Sequence, residues 1–337
     1  MLAMDTSQYT VLDHYYIETS NGCLGVVVGN WHSQYFIIGY IKYCPSSAAL
    51  QPWKRGPYYY NRVVKTYSAE QVHASTSWRV IVPFFGSAVP CIPVSLVKRV
   101  YCPLDRSLEL YSQVKDSLEG VALELVNAVS LSSGVVPGLT GSLLPGIHNP
   151  ELSDVDLVVY GARESVEVVE SIEANRELFR PFTEERLKDW ALRAAQSTGL
   201  STREVLKYYR NWRRGLFRGR EYSVIYSDGI YREVLTMPAY ESVGIVKMLA
   251  RISGGLEALN YPSMSRIESY RLVEFRGRIP YEIGYLMSYE AVYIPGLYEG
   301  GSFEVDGLVQ CSMLEESCRV TLGAVEYRGS LRWLDAT

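Results

Sequence analysis

Histidine is scarce in this chain, at 4 of 337 residues, and none of the 6 cysteines forms a Cys-x-x-Cys pair. A tetrahedral zinc site draws its ligands from those two types, so a structural zinc is not expected. No apolar run reaches the roughly 18 residues that a membrane-spanning helix needs. A basic start followed by an apolar stretch is also missing, and Asp5 lies among the first residues. An export leader is therefore not expected, and the chain reads as soluble and cytoplasmic, without a membrane partner. There is no excess of basic charge either. Lys and Arg number 33 against 37 Asp and Glu, a net charge of −4 that carries no global signature of polyanion binding.

What is present is ordinary globular composition, 47 % hydrophobic and 21 % charged, in a length that allows two or three domains. Tyrosine is abundant, at 27 residues. Its ring fills cores and stacks on bases alike, so the count alone does not choose between them. Tyr58-Tyr59-Tyr60, beside Lys54, Arg55 and Arg62, reads first as a strand that packs aromatics and second as a base-stacking surface. Cys23, Cys44, Cys91, Cys102, Cys311 and Cys318 are expected to be mostly reduced core thiols, with a Cys311–Cys318 bridge across a hairpin as an open alternative.

The patterning predicts an α+β multidomain protein. Residues 1–103 form a β-rich region of short apolar runs (Cys23–Val28, Tyr35–Ile41, Trp78–Phe85) broken by Asn-Gly, Gly-Asn and Pro-Ser signals. Residues 104–235 form an α/β core, a mixed sheet with helices. There Leu108, Tyr111, Val114, Leu118, Val121, Leu125 and Val129 recur at helical steps, predicting one helix of about 25 residues. Further helices are expected at Glu164–Leu178, Glu184–Gln196 and Thr202–Arg213, the last opened by a Ser201/Glu204 capping box. Glu221–Tyr226 reads as a strand closed by the Asp228-Gly229 turn. Residues 236–337 return to short strands (Arg271–Phe275, Ala291–Ile294, Phe303–Val305, Arg319–Leu322), predicting a small antiparallel barrel or sandwich.

The chemistry concentrates in residues 138–160, G-L-T-G-S-L-L-P-G-I-H-N-P-E-L-S-D-V-D-L-V-V-Y. Asp154 and Asp156 stand at i and i+2 at the head of an apolar strand, so both carboxylates face one side. Two neighbouring carboxylates repel unless a cation lies between them. Gly141 lets the backbone approach a phosphate closely, and Ser142 adds a hydroxyl and an N–H. This combination predicts a site for Mg²⁺, with Mn²⁺ as a substitute, and for a nucleoside triphosphate. Ser153 is placed to orient an aspartate. His148, in the intervening loop, could contact phosphate or shuttle a proton. Lys247, in G-I-V-K-M-L, could reach the triphosphate from the third region. Arg203, Lys207, Arg210 and Arg214 are spaced four, three and four, which on a helix makes a basic stripe for phosphate or a nucleic-acid backbone.

Gly141-Ser142, a spacer, and Asp154-Val155-Asp156 resemble the nucleotidyltransferase superfamily of the DNA polymerase β type. The wider stretch T-G-S-L-L-P-G-I-H-N-P-E-L-S-D-V-D-L-V-V-Y-G is similar to a group of uncharacterised archaeal predicted nucleotidyltransferases. That group shares an I-E-T-x-x-G start, here Ile17 to Gly22, and a C-terminal β-region. The resemblance implies a central nucleotidyltransferase core and two metal ions on Asp154, Asp156 and a third acid. Glu221 is the candidate for that acid and Asp228 the runner-up. It also implies transfer of a nucleoside monophosphate to an acceptor hydroxyl on RNA, protein or a small molecule. Two rivals stay open: a non-catalytic nucleic-acid binder on a degenerate core, and a scaffold that only senses nucleotide.

Overall fold

The computed structural model describes residues 10–48, 51–64 and 69–334, so Asp5 lies outside it. The first sheet is built from β1 (Tyr16–Thr19), β2 (Leu24–Val27), β4 (Phe36–Ser46), β5 (Trp53–Arg55), β6 (Tyr58–Arg62), β7 (Arg79–Val82), β8 (Ser87–Pro93) and β9 (Val97–Tyr101). Its order is β5-β6-β4-β2-β1-β9, with β8 and then β7 attached along β4. The short helix α1 (Ala69–Ala74) precedes β7. Tyr60 is buried in this sheet's core, as the packing interpretation of the tyrosine triplet expected, while Tyr58 is exposed.

The second sheet has the order β10-β11-β13-β12, from β10 (Gly138–Leu139), β11 (Val155–Tyr160), β12 (Arg214–Phe217) and β13 (Arg220–Ser227). β11 and β13 run parallel, and the flanking pairs are antiparallel. Helices α2 (Pro103–Ser112), α3 (Ser117–Ser133), α4 (Ala162–Ala174), α5 (Glu184–Thr198) and the single turn α6 (Thr202–Leu206) accompany it. Leu118, Leu125 and Val129 of α3 and Val168 and Ile172 of α4 share one core with Val155, Leu157 and Val159 of β11.

The third sheet closes on itself. β15 (Glu241–Ile252), β16 (Ser263–Gly277), β17 (Ile283–Ser288), β19 (Ser317–Leu322) and β18 (Gly301–Ser312) are joined in that order, and β18 pairs back with β15. Closure removes the sheet's open edges, and β20 (Ser330–Trp333) adds along β18. The three sheets are tied together. β14 (Arg232–Glu233) pairs in parallel with β3 (Trp31–His32) as a separate two-stranded sheet, so the segment after the second sheet returns to the N-terminal region. Arg319 of β19 donates to the Phe84 carbonyl at 2.5 Å, and Gln310 donates to the Phe85 carbonyl at 3.0 Å.

Several expectations need correction. The helix of about 25 residues is two helices, α2 and α3, although the apolar period runs through both. Asp116 breaks it by accepting from the N–H groups of Leu118 and Glu119 as an N-cap, while Glu119 accepts from Lys115 N–H at 2.7 Å. The helix expected to run to Arg213 stops at Leu206, although its Ser201/Glu204 capping box forms. Tyr208 and Trp212 are buried, and the Tyr208 hydroxyl donates to the Leu331 carbonyl at 2.7 Å. Tertiary packing therefore overrides the local helical spacing. Ala291–Ile294 is not a strand but the start of a helical segment that continues into α7 (Ile294–Glu299), with Pro295 in its first turn. Four cysteines are paired rather than reduced, as Cys23–Cys44 and Cys311–Cys318; Cys91 and Cys102 are free. Among the described residues, no helix is long and apolar enough to cross a membrane.

Candidate nucleotide and metal site

Gly141, Ser142, Asp154 and Asp156 meet at the end of the second sheet. β10 runs antiparallel to β11 with Leu139 opposite Leu157, and the Thr140 N–H donates to the Asp156 carbonyl at 2.9 Å. The chain then turns sharply at Gly141, where φ is +64°. A side chain there would be strained and would also collide, because a Cβ would lie 2.2 Å from Asp156 Oδ2. The glycine thus lets the turn and the carboxylate touch. Among the described residues, no backbone carbonyl accepts from the N–H groups of Gly141 or Ser142. A turn with a positive φ and unspent N–H groups suits an anion.

The next part of the loop is held by both neighbours. Leu144 and Ile147 bury themselves in the core of the first sheet beside Tyr16, Tyr43 and Tyr60. Lys54 N–H donates to the Ile147 carbonyl at 3.0 Å, and Arg220 donates to the carbonyls of Glu151 and Pro150, each at 2.9 Å. Ser142 donates its hydroxyl to Ser153 Oγ at 3.2 Å, and Ser153 also accepts from Asn149 N–H at 3.0 Å. Ser153 therefore links the turn to the loop, instead of orienting an aspartate.

Asp156 is oriented by Ser223, which sequence reasoning missed. Ser223 stands opposite Asp156 on β13 and donates its hydroxyl to Oδ1. Arg214 stands opposite Ser223 on β12, so Asp156, Ser223 and Arg214 form one rung across three strands and share a face. Asp154 lies two residues before Asp156 and on the same face. Its side chain is exposed. Repulsion from Asp156, with desolvation adding to it, raises its pKa to about 6, against the pull of Arg214 and of Lys42 from β4. A shared cation would relieve the repulsion of such a carboxylate pair.

The other predicted residues disperse. Glu221 is the second residue of β13, on the same face as Ser223, but its carboxylate is bound by both Nε and Nη2 of Arg186 from α5, the second contact at 2.6 Å. Asp228 lies at the far end of β13, about 16 Å along the strand from Ser223 at ~3.3 Å per residue. There Arg232 and Asn30 hold it at 2.6 and 2.8 Å. His148 turns away and sets Nε2 2.8 Å from Asp116 Oδ2. Lys247 is on the outer wall of the barrel, across from Asp306.

The basic stripe does not exist as one face. Arg203 is exposed on α6, Lys207 donates to the Trp333 carbonyl at 2.9 Å, and Arg210 is paired with Glu299. Only Arg214 of the four reaches the acids.

One further cluster has metal-ligating types. Asp116, Glu119 and His148 bring one ligand atom each within 4.8 Å of one another. Asp116 Oδ1 is spent on the cap and the Glu119 carboxylate on Lys115 N–H and the buried Arg106 guanidinium, while His148 Nδ1 is buried with no hydrogen-bond partner among the described residues. No protein-family model matches this chain, and no curated protein or solved structure matches it either.

Proposed function

We propose that this chain is a metal-dependent nucleotidyltransferase that moves a nucleoside monophosphate from an NTP to an acceptor hydroxyl. The supporting observation is the contact between Gly141 and the Asp156 carboxylate, with Asp154 beside it on the same face. The two carboxylates fit a divalent ion: they are like-charged neighbours, hard oxygen donors, and Ser223 already fixes one of them. Mg²⁺ bound there would neutralise the polyphosphate and polarise the reacting oxygens. The N–H groups of Gly141 and Ser142 bind phosphate oxygen, and Arg214 adds a positive charge on the same face. The acceptor oxygen forms the new bond to the α-phosphorus. The bond from that phosphorus to the β-phosphate bridging oxygen breaks, and pyrophosphate leaves with the electron pair. The acceptor's proton passes to solvent.

Glu221 serves as a third metal ligand only if Arg186 releases it. That pairing, and Ser223 where an acid would stand beside Asp156, favour a second reading: nucleotide is bound without being transferred. RNA as acceptor loses the support of a basic stripe, which leaves a protein or small-molecule hydroxyl ahead of it. A cytoplasmic setting remains part of the proposal and requires that Cys23–Cys44 and Cys311–Cys318 stay oxidised there.

The test is incubation with each α-labelled NTP, Mg²⁺ and a cell extract. Label transfer that disappears in Asp154→Ala/Asp156→Ala supports the transferase. Equal transfer by that variant refutes it, and saturable NTP binding without transfer selects the second reading.

A further inference from the structure

The pairing of β11 with β13 puts a third carboxylate next to the two acids. Val155 stands opposite Tyr222 and Asp156 opposite Ser223 on these parallel strands. Glu221 precedes Tyr222 as Asp154 precedes Val155. Glu221 therefore lies beside Asp154 as Ser223 lies beside Asp156, and all four side chains share one face. Neighbouring strands are about 4.8 Å apart, so a divalent ion could be shared between Asp154 and Glu221 as well as between Asp154 and Asp156. A guanidinium has taken the oxygens that the first of these ions would use. Arg186 binds the Glu221 carboxylate through Nε and through Nη2, the latter at 2.6 Å.

The backbone fixes Arg186 there. Leu216 of β12 stands opposite Glu221 on its other side. Arg180 pairs with Leu216 in turn, donating to its carbonyl at 2.9 Å and accepting from its N–H at 2.7 Å, which extends the sheet by one bridge. Three residues later Thr183 caps α5 and accepts from the Arg186 N–H, so the first turn of the helix is tied to this rung. The Arg186 guanidinium also lies 5.1 Å from the Phe182 ring centre, and the Tyr209 hydroxyl accepts from the Phe182 N–H at 2.7 Å. A forked contact over a tethered ring is more ordered than an ordinary surface ion pair.

We propose that this site takes a single divalent ion, between Asp154 and Asp156, and that Arg186, held on Glu221, supplies the positive charge that a second ion would bring. The inference rests on the nucleotide reading above and sets its metal stoichiometry. Two-metal sites place their ions roughly 3.5–4 Å apart and share carboxylates between them. An ion on Glu221 would have to displace the arginine fork and then remain close to a like charge. The charge count points the same way. Asp154, Asp156 and Glu221 bring three negative charges, Arg186 and Arg214 return two, and one divalent ion already exceeds the remainder. A guanidinium neutralises charge but takes no water or hydroxyl as a ligand. Activation of the acceptor thus falls to one ion.

The experiment is equilibrium dialysis of the full chain against saturating Mn²⁺ and α,β-methylene-ATP, with bound ions and nucleotide counted per chain. The paramagnetic resonance spectrum of the loaded protein is the second readout. One Mn²⁺ per chain, with the spectrum of an isolated ion, is expected for the unaltered protein and for Arg186→Lys, which keeps the charge. Arg186→Gln removes the charge and frees Glu221. It should bind two ions, broadened by their mutual coupling, and Arg186→Gln/Glu221→Gln should return to one. Two coupled ions in the unaltered protein, or one ion in Arg186→Gln, overturns the role of Arg186 and leaves the nucleotide site standing. The count and spectrum of the unaltered protein decide the matter even where a variant fails to fold. Absence of bound Mn²⁺ in the unaltered protein overturns both this inference and the carboxylate site.

Discussion

Ser223 donates its hydroxyl to Oδ1 of Asp156 from the adjacent parallel strand, on the rung where the two residues stand opposite each other. The other oxygen of that carboxylate faces Gly141. One acid is thus locked between a hydroxyl and a backbone turn, while Asp154 carries the electrostatic strain of the pair. The Asp156 carboxylate cannot rotate without losing the Ser223 bond or striking the turn. Ser223→Ala removes the tether without adding bulk. It should weaken divalent-ion binding about tenfold, the lower end for partners that orient a metal ligand, and leave the melting temperature nearly unchanged. Titration of Mn²⁺ followed by its paramagnetic signal reads this directly.

Gly141→Ala addresses the close approach itself. The new methyl would meet Asp156 Oδ2 at 2.2 Å in a backbone conformation with φ +64°. A left-handed alanine costs about 1–2 kcal/mol before any clash. The variant should melt several degrees lower and lose nucleotide binding at least tenfold. Gly146→Ala is the control, since that glycine has a similar φ of +67° but open space around it. It should lose comparable stability and retain binding.

The raised pKa of Asp154, about 6, has a definite sign in pH experiments. In the folded metal-free protein Asp154 holds its proton above the pH at which the unfolded chain releases it. Between about pH 4 and pH 6 the native state therefore binds more protons, and stability falls as pH rises through that window. Asp154→Asn should flatten that part of the melting profile. Mg²⁺ competes with the same proton, so the stabilisation given by Mg²⁺ should grow from pH 5 to pH 7 in the unaltered protein and be absent in Asp154→Asn. Differential scanning at several pH values checks both slopes.

Arg319 joins the barrel to the first sheet. It is 2 % exposed and donates to Phe84 and Gln310, with its guanidinium 3.9 Å from the Tyr240 ring centre. Burial lowers its pKa. Arg319→Ala leaves a void and strands the Phe84 carbonyl, a loss of about 3 kcal/mol. Arg319→Met fills much of the void and avoids burying a charge, so it should cost about 1 kcal/mol. Calorimetry should show the difference in the transition that involves the barrel.

The site's acids and its turn were legible in the sequence because each is local. Asp-x-Asp before an apolar run fixes two carboxylates on one face of a strand, and Gly-Ser fixes a bend. The Ser201/Glu204 cap was legible for the same reason. What was missed depends on partners far away in the chain. Ser223 matters only because β13 pairs with β11 in one register. The stripe from Arg203 to Arg214 failed because Tyr208 and Trp212 are buried against Leu331 and Tyr226, and burial ended the helix after Leu206. The single long helix failed because apolar spacing continued across a residue, Asp116, whose side chain caps a new start. A barrel was one of the two forms expected for the C-terminal strands, but it is not wholly antiparallel, since β17 and β19 run parallel, a pairing between segments that are not consecutive in the chain.

The most direct test is calorimetric titration of Mg²⁺·ATP into the unaltered protein and into Asp154→Asn/Asp156→Asn, with both proteins shown to melt cooperatively. Saturable, Mg²⁺-dependent binding to the first and loss of at least a hundredfold in the second is the predicted result. Equal affinity in the two proteins, or binding to the first that chelation of Mg²⁺ leaves unchanged, would contradict a carboxylate pair and a glycine turn acting as one site for a divalent ion and a polyphosphate.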